Sequence, residues 1–314
     1  MKDKNMIYTV TLNPAVDCTL KASDYSEGKV NRAESETLSA GGKGINMSVI
    51  LHRLGADTTA LGFIGGDTGK LFCSLLDKLE CPHDMTGLDG QLTRINVKLN
   101  AEGTETEING KGPYISPQQL ESFITELENR LSDGDSLILA GSVPESVPPT
   151  IYSDIVKRLN SRNVRIIADS SGKLLTELVK MKPFLIKPNN HELAEICGFK
   201  VVTHEDAFRG AEILQKMGAE NVLVSLAGDG AVFLSEKGER YEVAAPHGTV
   251  VNSVGAGDSM VAGFLAGYEK YGSFKEALLL GTAAGSATAF SESLADADEI
   301  QKLYNTLAKT VKFS

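Results

Sequence analysis

Apolar residues in this chain gather into short runs, some broken by a single polar residue, separated by segments of helical periodicity. Residues 7–12, 59–64, 136–139, 164–168, 185–186 and 221–225 are such runs, and they read as strands buried on both faces. After Ser116-Pro117, a helix start with proline in its first turn, Leu120, Phe123, Ile124, Leu127 and Leu131 recur at helical spacing. Further helices are expected over 47–54, stopped by Gly55, over 67–79, near 149–160, near 204–217, and from Phe274 to about Phe290. Residues 231–234 and 241–244 form a hairpin or edge pair around Lys237-Gly238. Strands alternating with helices predict an α/β domain with a mostly parallel sheet covered on both faces. Its strand C-terminal ends lie together, so the polar loops that follow them converge on one rim.

Two stretches break the pattern. Residues 16–40 carry Cys18, Leu20, Val30 and Leu38 among polar neighbours, and residues 94–99 alternate apolar with polar. Both read as strands exposed on one face. The segments 16–40 and 91–113 are therefore expected to form one small sheet over a single domain spanning 6–314, with residues 1–5 a short polar extension.

Composition narrows the class. A chain of 314 residues buries a large core without a second domain. The net charge of −10 argues against a general nucleic-acid or anionic-membrane binder, though it permits a locally basic pocket. Cys18, Cys73, Cys81 and Cys197 form no CxxC pair, so neither a zinc site nor a disulfide framework is suggested, and reduced thiols in a cytoplasm are expected. No apolar run reaches membrane-spanning length, and the polar start is not a signal peptide.

The candidate chemistry lies at the predicted strand ends. In Val250-Val251-Asn252-Ser253-Val254-Gly255-Ala256-Gly257-Asp258 a β-branched run turns over on glycines into a helix whose buried face is Met260, Val261, Phe264, Leu265 and Tyr268. A helix N-terminus behind a glycine turn is an anion site. Asp258, in its first turn, is either a capping carboxylate or a general base beside a phosphate, and this stretch alone favours the cap. Gly41-Gly42-Lys43-Gly44-Ile45-Asn46 repeats the glycine-loop-then-helix grammar and fits neither a P-loop nor GxGxxG. Other strand ends supply Asp17, Arg94, Ser142, Lys187, Asn189, Glu192, Ser225, Gly228 and Gly230. Two anion sites, several cations and an acid in a helix first turn are the parts phosphoryl transfer requires.

In order and spacing, the 41–46 and 254–259 motifs resemble the two signatures of the ribokinase-like carbohydrate kinases, and the resemblance runs from Met6 onward. Lys187-Pro188-Asn189-Asn190-His191-Glu192 and Ser225-Leu226-Ala227-Gly228-Asp229-Gly230 match two further elements of that family. Thr11-Leu12-Asn13-Pro14-Ala15-Val16-Asp17, Lys43 and Ala287-Thr288-Ala289-Phe290-Ser291 are similar to members that phosphorylate ketose phosphates. The resemblance implies a three-layer α/β/α domain with a small β-sheet lid, ATP and Mg²⁺, and a homodimer formed through the lid. It implies Asp258 as base, and N–H groups of Gly255, Ala256 and Gly257 as anion hole. Sugar contacts would come from Asp17, Gly41, Gly42, Asn46 and Ser142, phosphate contacts from Lys43 and Arg94. Lys187, Ser225, Gly228, Gly230, Ala283 and Ser286 would serve the nucleotide, and Asn189 and Glu192 the metal. By residue chemistry alone, the small stripe at 283–287 is first a helix-packing surface.

Fructose 1-phosphate is the acceptor expected from this resemblance, with tagatose 6-phosphate or fructose 6-phosphate as alternatives. Lys29, Arg32 and Lys111 are further phosphate candidates, equally readable as solvated surface charges. A doubly wound oxidoreductase would need GxGxxG after the first strand, and Asn13-Pro14-Ala15-Val16-Asp17 is not that. A non-catalytic sugar-phosphate sensor would lack the base or the anion hole, and both are expected here.

Overall fold

The computed structural model describes residues 5–101 and 103–311. Strands β1 (Ile7–Thr11), β2 (Ala15–Ala22) and β3 (Ser35–Gly41) precede helix α1 (Lys43–Arg53). Then come β4 (Thr58–Gly65), α2 (Gly66–Lys78), β5 (His83–Leu88), β6 (Arg94–Ala101), β7 (Thr104–Asn109) and α3 (Pro117–Arg130). A regular series follows: β8 (Ser136–Ala140), α4 (Ile151–Arg158), β9 (Arg165–Asp169), α5 (Gly172–Val179), β10 (Leu185–Ile186), α6 (Asn190–Cys197), α7 (His204–Met217) and β11 (Asn221–Ser225). The chain ends with β12 (Ala231–Leu234), β13 (Arg240–Val243), α8 (Ala256–Tyr271), α9 (Phe274–Phe290) and α10 (Ala297–Thr310).

The main sheet has the order β13-β12-β11-β10-β9-β8-β1-β4-β5, all parallel in direction except β12, which pairs antiparallel with β11 and β13. Its apolar runs are buried from both sides. One layer, α3 to α7, covers it with Phe123, Tyr152, Leu175, Leu193 and Phe208, and the other, α1 with α8 to α10, with Met47, Ile50, Phe264, Leu280 and Ile300. From β1 the chain builds outward through β4 and β5, then returns to β8 on the other side. The β1/β8 junction is thus a topological switch point, where a crevice opens beyond the strand C-termini.

The small sheet is β3-β2-β6-β7. Its register places Leu38, Cys18, Val97 and Ile108 in one apolar row across all four strands, and pairs Asp17 with Asn96 on the opposite, polar face.

Several expectations need correction. Helix α1 starts at Lys43, inside the glycine motif, rather than at 47. The β-branched pair Val250 and Val251 ahead of the glycines forms no strand but an exposed loop, 64% and 55% exposed. Strand β5 was not anticipated because its residues are half polar, as suits the sheet edge. Helices α5, α6 and α10 are likewise not among the helices the periodicity predicts. The expected polar extension falls mostly on residues 1–4, outside the described residues.

Candidate active site

A cleft of about 340 Å³ lies at the switch point, between the main rim and the polar face of the small sheet. Its floor comes from the ends of β1 (Thr11, Asn13), β8 (Gly141, Ser142) and β9 (Ser170, Ser171). One wall is Asp17, Arg94 and Asn96 from the small sheet. The other is the first turns of α1 and α8, through Gly42, Lys43, Asn46, Gly255 and Asp258. Three buried side-chain oxygens here have no hydrogen-bond partner among the described residues: Thr11 Oγ1, Asn13 Oδ1 and Ser170 Oγ. Unpaired buried polar atoms in a crevice are where a polyhydroxy ligand would be bonded.

Helix α8 is entered from Gly255, whose φ of +79° is left-handed and whose missing Cβ would lie 2.8 Å from Leu294. No side chain caps this helix. Asp258 therefore does not act as an N-cap. Its Oδ2 instead accepts from Asn46 Nδ2 of α1 at 2.7 Å. Asp258 is only 8% exposed. Burial first, and then the negative charge of Asp169, push its carboxyl up to about 6, against the opposing pull of Lys43, Asn46 and Lys187. Of the three expected anion-hole donors, Ala256 is engaged, since its N–H donates to Ser253 O at 3.2 Å.

On the small sheet, Asp17 is held by Lys98 Nζ at 3.1 Å and by Asn96 Nδ2 at 2.9 Å. Gly41 admits this carboxylate closely, for a Cβ there would stand 2.6 Å from it. Arg94 donates Nε to Asn13 O at 3.1 Å and a terminal nitrogen to Gly110 O at 3.2 Å. Burial lowers its guanidinium pKa, with Asp17 opposing.

Lys43 donates to Asp169 Oδ1 at 2.9 Å, and Lys187 Nζ lies 3.9 Å from the same oxygen. Lys187, expected with the nucleotide, is 5% exposed and stands 3.2 Å from where a Gly257 Cβ would be, so it flanks the first turn of α8. Asn189 and Ser225 are joined by a parallel bridge, which brings the 187–192 and 225–230 motifs together outside the residues lining the cleft.

The expected metal donors do something else first. Asn189 Oδ1 accepts from Glu192 N at 2.8 Å and Glu192 Oε2 from Asn189 N at 2.9 Å, a reciprocal cap of α6. One Glu192 oxygen remains for a cation. Among the described residues no cluster of three His, Cys, Asp or Glu could hold a metal.

Ala283, on α9, is fully buried in the core and offers no face to an adenine ring, whereas Ser286 is partly exposed. The small stripe lets the helices touch: a Cβ on Gly263 would lie 2.7 Å from Ala284 Cβ. Lys111 pairs with Glu145, and Lys29 and Arg32 are exposed. Sequence reasoning missed Asn96, Lys98 and Asp169 as site residues. Their signal was present, since Asn96 and Lys98 alternate with apolar positions on β6 and Asp169 ends an apolar strand.

The chain matches the family model described as pfkB family carbohydrate kinase over residues 3–301. It is 45% identical over 298 residues to a 1-phosphofructokinase of Bacillus subtilis (strain 168), across 95% of this chain and 97% of that one. It is 36% identical over 299 residues to a D-tagatose-1-phosphate kinase of Bacillus licheniformis, across 95% and 97% of the two chains. Phosphofructokinase-2 of Escherichia coli, solved in complex with fructose-6-phosphate, shares the fold with a TM-score of 0.89 at 27% identity, covering 97% of this chain and 99% of that one.

Proposed function

The chain belongs to the pfkB family of carbohydrate kinases, and on that premise we propose that it phosphorylates fructose 1-phosphate with ATP to give fructose 1,6-bisphosphate. The observation that carries the mechanism is the bond between Asn46 and Asp258 at the uncapped start of α8, inside a cleft lined by Lys43 and Arg94. A non-catalytic sensor would have no use for a buried acid beside an open helix N-terminus.

Asp258 takes the proton of the acceptor hydroxyl, its Oδ2 held by Asn46 and its other oxygen left for the alcohol. The new O–P bond forms as the bond to the ADP leaving group breaks, and the negative charge gathers beside the first turn of α8. Lys187 lies against that turn and offsets the charge. Lys43 and Arg94 hold the phosphate the sugar already carries, and Asp17, clamped by Lys98 and Asn96, reads a hydroxyl. Ser225, Gly228, Gly230 and Ser286 border the nucleotide. The free Glu192 oxygen, with Asn189, would hold Mg²⁺, a hard cation suited to oxygen donors. Such an ion supplies neutralisation of phosphate charge.

The test is steady-state kcat/KM with fructose 1-phosphate, tagatose 1-phosphate and fructose 6-phosphate. Fructose 1-phosphate should lead. A clear preference for tagatose 1-phosphate would favour a second reading, prompted by the Bacillus licheniformis relative. In the same assay Arg94→Ala should raise KM for the phosphosugar far more than for ATP, because truncating one partner of a desolvated charge pair costs about 2–5 kcal/mol. Equal effects on both substrates would remove Arg94 from the phosphate site.

The small sheet would act as a lid and as the surface of a homodimer. Its outer face carries the row Leu38, Cys18, Val97 and Ile108, of which Leu38 and Ile108 are 45% and 68% exposed. An exposed apolar sheet face of this kind marks an interface. Light scattering at micromolar concentration should give twice the chain mass, and a value for one chain would dismiss the dimer.

A further inference from the structure

Asp169 is an acid with an unusual place. It closes the apolar strand β9 and is 0% exposed, beneath the cleft floor that Ser170 and Ser171 line. A buried carboxylate is costly unless paired, and an ion pair there is seldom more stabilising than well-packed apolar side chains. Its two lysine partners come from two different motifs: Lys43 from the first turn of α1, Lys187 from the loop after β10. Both share Oδ1, while Oδ2 has no hydrogen-bond partner among the described residues. Burial works against its charge, and Lys187 and Lys43 outweigh it, holding the carboxyl below its ordinary range.

The two lysines face different sides. Lys43 has a side chain 36% exposed and lines the acceptor cleft, and Lys187 lies against Gly257. A lysine has a flexible four-carbon stem and would sample many positions unless its ammonium is tied. We propose that Asp169 is a positioning residue for phosphoryl transfer, a single buried carboxylate that aims Lys43 at the acceptor and Lys187 at the first turn of α8. This rests on the kinase reading above. It also ties the base to the lysines. The groups acting on Asp258 are Asp169 on β9, Lys43 and Asn46 on α1, and Lys187 after β10, two cations against two acids. With Asp169 neutral, both lysines would act on Asp258 uncompensated and favour its ionised form. With Lys43 removed, Asp258 would face Asp169 with only one cation left.

The test measures pH profiles of kcat and KM values for Asp169→Asn and Lys43→Met, with unfolding midpoints recorded. Asp169→Asn should move the acid limb of kcat down by about one pH unit and raise acceptor KM about tenfold. Lys43→Met should move the limb up. In the double variant the two KM effects should not add, because both act through one contact. A role in stability alone would lower the midpoint and leave the limb in place, and that result in a folded variant overturns the assignment. If Asp169→Asn does not fold, Asp169→Glu decides, since it keeps the charge and moves the carboxylate: a raised acceptor KM in a folded variant supports the positioning, and an unchanged KM refutes it. Wild-type turnover separates the failures. An inactive wild type sinks the kinase reading, and an active one with unmoved limbs sinks only the role of Asp169.

Discussion

Asp258→Asn should lower kcat by about 10²–10⁴, the usual contribution of a general base, while leaving a protein at least as stable as the parent. The asparagine keeps the shape and an oxygen that can accept from Asn46. It loses the proton acceptor and a buried negative charge. The stability effect follows from the direction of the shift. Folding raises this carboxyl from 3.8 to about 6, so above pH 6 the fold carries an ionised acid it disfavours. At about 1.4 kcal/mol per pH unit, the cost is up to about 3 kcal/mol near neutrality. It shrinks as pH falls from about 6 and is gone below the ordinary value, where both states are protonated. Asparagine removes that cost, so its advantage in urea unfolding should be largest at pH 7–8 and fade toward pH 4. The same titration appears in wild-type turnover, where kcat should fall as pH drops through about 6 and the base takes a proton. A folded Asp258→Asn variant with near wild-type kcat would end the mechanism.

Gly230→Ala should destabilise the fold by about 2–4 kcal/mol, combining left-handed backbone strain with overpacking. Gly228→Ala should leave stability within about 0.5 kcal/mol. Both glycines belong to one motif and both were expected at the nucleotide. Gly230 has φ +94°, and a Cβ on it would lie 2.0 Å from Val243 O and 2.6 Å from Ala245 N, backbone atoms that leave β13 and cannot swing aside. A Cβ on Gly228 would meet nothing within 4 Å. Gly228→Ala should therefore raise KM for ATP in an otherwise sound protein, since open space over a turn is where a nucleotide would lie. Equal unfolding midpoints for the two variants would show that the β12/β13 edge yields, and would return Gly230 to the same standing as Gly228.

That pair shows why motif positions are not equivalent. The spacing Ser225, Gly228, Gly230 is visible in the chain, but which glycine serves the ligand and which the backbone depends on β13 crossing behind it. Asn189 and Glu192 make the same point. Their three-residue spacing fits a shared metal and a helix cap equally well, and the cap forms because α6 begins at Asn190. Ala283 is legible as small, yet only the packing of α9 into the core buries it.

Local periodicity determined most of the architecture. Strands such as β8 and β11 are built on short apolar runs because both faces are covered, and α3 is marked by its Ser116-Pro117 start and its spaced apolar face. These signals depend on neighbours within a few residues, so the chain states them directly. The same holds for the glycine turns ahead of α1 and α8. The edge strand β5 escaped because a half-covered strand needs no apolar run. Pairings across the sheet order were decided by tertiary structure alone. Asn46 meets Asp258, and Lys43 meets Lys187 at Asp169, because β1, β8 and β9 are neighbours at a switch point while α1 and α8 lie side by side over them. A sequence places acids and lysines at strand ends, but their distances, and with them the raised pKa of the base, arise only when those ends share one buried rim.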